Sequence, residues 1–129
     1  MHELSIIHSI IEATEAELRK QQGPCSVEQI ELEIGSLAGI EVDTLEFLWP
    51  AAVEHTLLEK AECRILRTAG EAQCDTCKRS FPIQHFSDPC PGCGSHFIQI
   101  RKGEELRIKS ITLVSETPDA HLLNSISLN

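Results

Sequence analysis

Leu4, Ile7, Ile11 and Leu18 recur at helical spacing near the start of the chain, and Ile6 and Ile10 widen their stripe. Glu12, Glu15, Arg19 and Lys20 fall outside it, so the pattern predicts an amphipathic helix that ends at Gly23-Pro24. From Val27 to Ile34 the period changes to two: Ile30, Leu32 and Ile34 alternate with Gln29, Glu31 and Glu33, as in a half-buried strand. Gly35 to Ile40 reads as a loop. Leu45, Leu48, Trp49, Ala52, Val53 and Leu57 then define a second helix over Thr44 to Glu59. Asp43 and Glu46 are placed to cap it, and Pro50 is expected to kink it or delay its start.

Two more strands follow. Ala61 to Thr68 turns Cys63 and Ile65 inward, and Glu105 to Val114 turns Leu106 and Ile108 inward. In the latter the apolar phase slips to Ile111 and Leu113, which predicts a bulge near Lys109-Ser110. Arg107 and Lys109 on its outer face are candidate partners for Glu31 and Glu33. The pattern gives an α+β fold, a small three-stranded sheet covered by two helices, with an insertion before the last strand. The expected division is a core of residues 1–69 and 101–114, a module of residues 70–100, and a weakly patterned tail of residues 115–129.

The insertion carries the clearest chemistry. Cys74-Asp75-Thr76-Cys77 and Cys90-Pro91-Gly92-Cys93 are two Cys-x-x-Cys hooks separated by 12 residues. Each hook offers two thiolates from one tight turn, and together they supply the four soft ligands of a tetrahedral Zn²⁺ in a zinc-ribbon module. Such a site is closed, so it holds structure and activates no water. A pair of disulfides is the competing reading, disfavoured by the regular spacing and the lack of a secretory signal. Cys63 reads as core filler and Cys25 as an incidental thiol.

A net charge of −9 argues against nucleic-acid binding, because phosphate contacts need clustered cations. Lys78, Arg79, Arg101 and Lys102 are scattered against Glu71, Asp75 and Asp88 and make no basic face. No apolar run approaches a membrane span, and the expected location is the cytoplasm. No nucleophile, acid and base constellation and no nucleotide-binding glycine loop points to an enzyme.

Met1-His2-Glu3 is the second candidate site. A free α-amine, the His2 backbone nitrogen and the His2 Nδ1 close adjacent chelate rings, and a deprotonated amide favours square-planar Ni²⁺ or Cu²⁺. Glu3, a nearby histidine or a partner would complete the set. On this chemistry alone, an incidental histidine is the more common outcome. Glu41 and Asp43 could offer an outer oxygen, although Asp43 reads first as a helix cap. His8, His55, His85, His96 and His121 read as surface residues, with His96 near enough to Cys93 in sequence to donate to a sulfur.

Met1-His2-Glu3-Leu4-Ser5, the helix behind it, the strand ending Leu32-Glu33-Ile34-Gly35 and the Cys74/Cys77/Cys90/Cys93 set together resemble the HypA/HybF family of hydrogenase nickel-insertion proteins. The likeness runs from Met1 to about Val114. It implies nickel at His2 with the Met1 amine, Glu3 as a further candidate ligand, and structural zinc at the four cysteines. It further implies delivery to the large subunit of [NiFe] hydrogenase, in some members urease, with a HypB-type GTPase as partner. The rival reading is a zinc-ribbon adaptor that carries no nickel.

Overall fold

The computed structural model describes residues 2–115, 120–123 and 126–128. Helix α1 spans Glu3–Arg19 and buries Ile6, Ile7, Ile10, Ile11 and Thr14. Thr14 sits in this apolar face without cost to hydrogen bonding, because its hydroxyl donates to the Ile10 carbonyl at 2.8 Å. Beyond the helix Gly23 takes a positive φ of 87° and turns the chain into β1, Cys25–Gly35. Helix α2, Val42–Ala52, then carries the chain across to β2, Glu62–Thr68. Strand β2 runs parallel to β1, a pairing that requires a crossover of this kind.

The second helix differs from its expected span. It starts at Val42 with Glu41 as N-cap, and Asp43 makes no capping bond. It also ends at Ala52, two residues past Pro50, whose missing N–H leaves the Glu46 carbonyl without its intrahelical bond. From Val53 to Ala61 the chain continues in isolated turns, with Thr56 Oγ1 donating to the Val53 carbonyl at 2.6 Å and His55 at a φ of 63°.

The chain next forms β3 (Gly70–Cys74), β4 (Ser80–Ile83) and β5 (Ile98–Lys102), a separate small sheet in the order β4-β3-β5. It then returns as β6, Leu106–Ser115, antiparallel to β1. The three expected strands thus stand side by side as β2-β1-β6. Glu31 pairs with Ser110 and Leu32 with Ile108, which leaves Lys109 bulged as the apolar phase required. The bulge lets Leu106, Ile108, Ile111 and Leu113 all enter the core beneath α1 and α2. On the opposite face Arg107 pairs with Glu33 at 2.7 Å, and Ser110 Oγ donates to Glu31 at 2.9 Å.

Two short strands complete the large sheet. β7 (Ala120–Leu123) and β8 (Ile126–Ser127) both run antiparallel to β6. What the sequence pattern left as a tail is therefore, where described, paired backbone.

The two sheets meet at a tight junction. The Gly35 N–H donates to the Glu105 carbonyl at 2.7 Å, Ser36 N–H to Thr68 at 2.9 Å and Leu37 N–H to Gly103 at 2.7 Å. Leu37 inserts among Ala72, Cys74, Phe81, Ile83 and Cys90, so a loop of the large unit supplies part of the small unit's core. A Cβ at Gly35 would strike the Gly103 carbonyl, and Gly103 itself holds a φ of 113°. Only glycine allows both backbones this approach.

Candidate metal centre

The two hooks fold as near copies of one another. Cys74 N–H donates to the Arg79 carbonyl and Cys90 N–H to the Ser95 carbonyl, both at 2.9 Å. Lys78 N–H returns to Cys74 at 2.9 Å and Gly94 N–H to Cys90 at 2.8 Å. Each knuckle thus closes on the residue after its second cysteine, which takes a left-handed φ of 64° at Lys78 and 73° at Gly94. Gly94 fills that place without strain, whereas Lys78 bears a Cβ penalty there. At Gly92 a Cβ would come within 2.7 Å of the Arg79 guanidinium, the end of a flexible side chain that can swing aside. Thr76 Oγ1 and Ser95 Oγ, 3.1 Å apart, tie one knuckle to the other.

This arrangement converges the four sulfurs. Cys74 and Cys93 lie 3.6 Å apart, as do Cys77 and Cys90, and all four Sγ atoms lie within 4.8 Å of one another. A disulfide needs about 2.05 Å, so the competing pairing does not form. A tetrahedron with metal–sulfur bonds of about 2.3 Å has edges of roughly 3.8 Å, close to these separations. Backbone N–H groups, first that of Cys77, draw the Cys74 thiol down to about 6. Cys90 is lowered by the N–H of Cys93 and then that of Gly92, against burial. The Ser95 N–H favours the Cys93 thiolate, but the sulfurs of Cys74, Cys90 and Cys77, with burial, push it up to about 11. Crowded thiolates resist ionising together, and a divalent cation at their centre is what relieves that repulsion.

At the other candidate site, Met1 lies outside the described residues. His2 is exposed and is the N-cap of α1, with φ −82° and ψ 121°. Its carbonyl accepts the Ile6 N–H at 3.2 Å, so the helix begins immediately after it and leaves the His2 amide without an intrahelical partner. The Glu3 carboxylate is engaged: its Oε2 accepts the Glu41 N–H at 3.2 Å. Asp43, His8, His85 and His96 are exposed, and among the described residues the cysteine set is the one cluster of candidate ligands. The pattern of residues missed three features: the left-handed Lys78, the Arg79 side chain over Gly92 and the Glu3 to Glu41 bond. Only the first had a signal, the matching place of Lys78 and Gly94 after their hooks.

A family model described as "Hydrogenase/urease nickel incorporation, metallochaperone, hypA" matches residues 1–113. The chain belongs to the HypA family. It is 48% identical to the hydrogenase maturation factor HypA of Parabacteroides distasonis over 118 residues, covering 90% of this chain and 100% of that protein. It is 40% identical to the factor of the same name from Geobacter metallireducens, covering 86% and 97%. The solution structure of the Ni metallochaperone HypA from Helicobacter pylori shares the fold, with a TM-score of 0.63 at 24% identity over 90% of this chain and 100% of that one. A second solution structure of a HypA protein has a TM-score of 0.61 at 25% identity, covering 86% and 94%. HypA is thus a nickel-incorporation metallochaperone family, and this member keeps a four-cysteine metal site. Among the described residues no helix is long and apolar enough to cross a membrane.

Proposed function

We propose that this HypA-family chain binds Ni²⁺ through the Met1 amine, the His2 amide and the His2 imidazole, and delivers it to the large subunit of [NiFe] hydrogenase. The observation that carries this reading is the conformation of His2. As an exposed N-cap it has a backbone nitrogen outside the helix ladder and a side chain not committed elsewhere by any described hydrogen bond. A nitrogen set of this kind suits tetragonal Ni²⁺. Glu3 serves the site chiefly by position: its carboxylate must leave the Glu41 N–H before it can reach a metal.

Zn²⁺ is the metal the donor set of Cys74, Cys77, Cys90 and Cys93 fits, and its role there is structural. Residues 1–69 and 101–114 would form the nickel-binding unit and residues 70–100 the zinc ribbon. A HypB-type GTPase is the proposed partner in delivery and urease a second recipient. The cytoplasm, where thiols stay reduced, is the proposed location.

Equilibrium dialysis against Ni²⁺ with the native chain and with His2→Ala tests the reading. His2→Ala should lose more affinity than the roughly 10–100-fold that removal of an outer-shell partner costs. Equal affinities would remove the nickel assignment while leaving the four-cysteine site intact.

A further inference from the structure

The family match ends at residue 113, yet the strand pairing does not. Val114 pairs with Ala120, Ile111 with Leu123, Ile108 with Ile126 and Arg107 with Ser127, all in one register. The Leu128 N–H extends it, donating to the Leu106 carbonyl at 3.1 Å, and the Leu128 side chain packs against the main core. The described residues of the C-terminal segment, 120–123 and 126–128, therefore lie along β6 in one continuous register.

We propose that the outer edge of β6 is a self-association surface for a second copy of this chain, and that the C-terminal strand holds it closed in cis. An open strand edge is a template for another strand, and natural sheets blunt it with charge or cover it. The opposite edge, β2, carries exposed Glu62, Arg64 and Arg67. β6 is defended by Arg107 and Lys109 at one end only. Its other end is Ile111-Thr112-Leu113-Val114, rich in β-branched and apolar side chains, with Val114 37% exposed. Two copies of that end, antiparallel about a twofold axis at Leu113, would set Thr112 against Val114 and Ile111 against Ser115, which keeps the outward-facing N–H and C=O groups of the even residues opposite one another. Arg107 and Lys109 would then lie outside the paired stretch. A second copy fits this edge without opposing like charges.

The cis strand wins because only residues 116–119 separate β6 from β7 in sequence. A linker this short gives an effective concentration on the order of millimolar, above that of free copies in a cell.

A chain ending at Ser115 and the full chain carrying Leu122→Pro, which deletes a backbone donor opposite Thr112, test this by sedimentation velocity over a concentration series. Both should dimerise on the order of a hundredfold more tightly than the native chain, and amides of β6 should be protected from hydrogen exchange in the dimer. Zinc content and helical circular dichroism serve as folding controls. If the shortened chain does not fold, Leu122→Pro alone decides. Association equal to that of the native chain overturns the proposal. So does a native dimer whose tails are exchanged between copies.

Discussion

The Glu3 carboxylate accepts the backbone N–H of Glu41 at 3.2 Å, which joins the first turn of α1 to the N-cap of α2. A capping box usually supplies this acceptor from the third residue of the same helix. In α2 that residue is Thr44, whose side chain is too short for the task, and Glu3 does it from another helix. Glu3→Ala should cost about 0.5–1 kcal/mol in denaturant unfolding and speed hydrogen exchange at the Glu41 amide. Glu3→Gln keeps an acceptor and should lose less.

The four-cysteine site and the α+β core are expected to respond separately to metal loss. The purified chain should hold one Zn²⁺, and Cys74→Ala should abolish its retention. Among the described residues the cluster that forms the small unit's core has six buried apolar members, Ala72, Cys74, Phe81, Ile83 and Cys90 with Leu37 from the other unit, and two of them are candidate ligands, so it depends on the metal. Amide dispersion from β3, β4 and β5 should collapse while the helical circular dichroism survives. Loss of the helical signal as well would show the two units to be one cooperative body.

Much of this was legible in residue order. The stripe Ile6, Ile7, Ile10 and Ile11 located α1 because its burial depends only on local periodicity. The phase slip after Ile108 located the Lys109 bulge for the same reason. The start of α2 was not legible, since the group serving its N-cap is 38 residues away in sequence. The small sheet was hidden too: Pro82 lies between Phe81 and Ile83, and Leu37, which completes its core, sits in a loop of the other unit. At the metal centre the four ligands were plain from spacing, but the hydrogen bonds that aim them belong to backbone.

Acid stability should depend on Glu33. The Arg107 hydrogen bond, opposed by partial burial and helped by the Arg107 charge, Thr68 and Lys109, holds its carboxyl below the usual 4.5. A carboxyl lowered in the folded state stabilises the fold above its unfolded value, and that contribution disappears as pH falls through the folded value. Arg107→Ala should therefore destabilise the chain at neutral pH by about 0.5–1 kcal/mol, given the partial exposure of the pair. The difference from the native chain should shrink below pH 4.5, as followed by thermal unfolding across a pH series.

Two glycines separate conformational strain from crowding. Gly39 has a φ of 75° with nothing within 4 Å of a built Cβ, so Gly39→Ala should cost only the left-handed penalty, about 1–2 kcal/mol. At Gly103 the φ is 113° and a Cβ would meet the Gly70 Cα at 2.7 Å and Leu37 Cδ1 at 3.0 Å. Gly103→Ala should cost more than Gly39→Ala, because backbone at the junction must move as well. Denaturant midpoints of the two variants give the order.

The central claim is that nickel binding depends on the N-terminal amine as well as on His2. Residues added before Met1 move the amine away while His2 and all four cysteines remain. An Ni²⁺ titration followed by d–d absorption, on chains with and without such an extension and at one pH, is the most direct measurement. The native chain should show the band of diamagnetic, four-coordinate planar Ni²⁺, lost at low pH as protons compete for the nitrogen ligands. The extended chain should lack the band and bind far more weakly. Tight binding by the extended chain with the same spectrum would contradict the account and place the nickel on ligands other than the N-terminal amine.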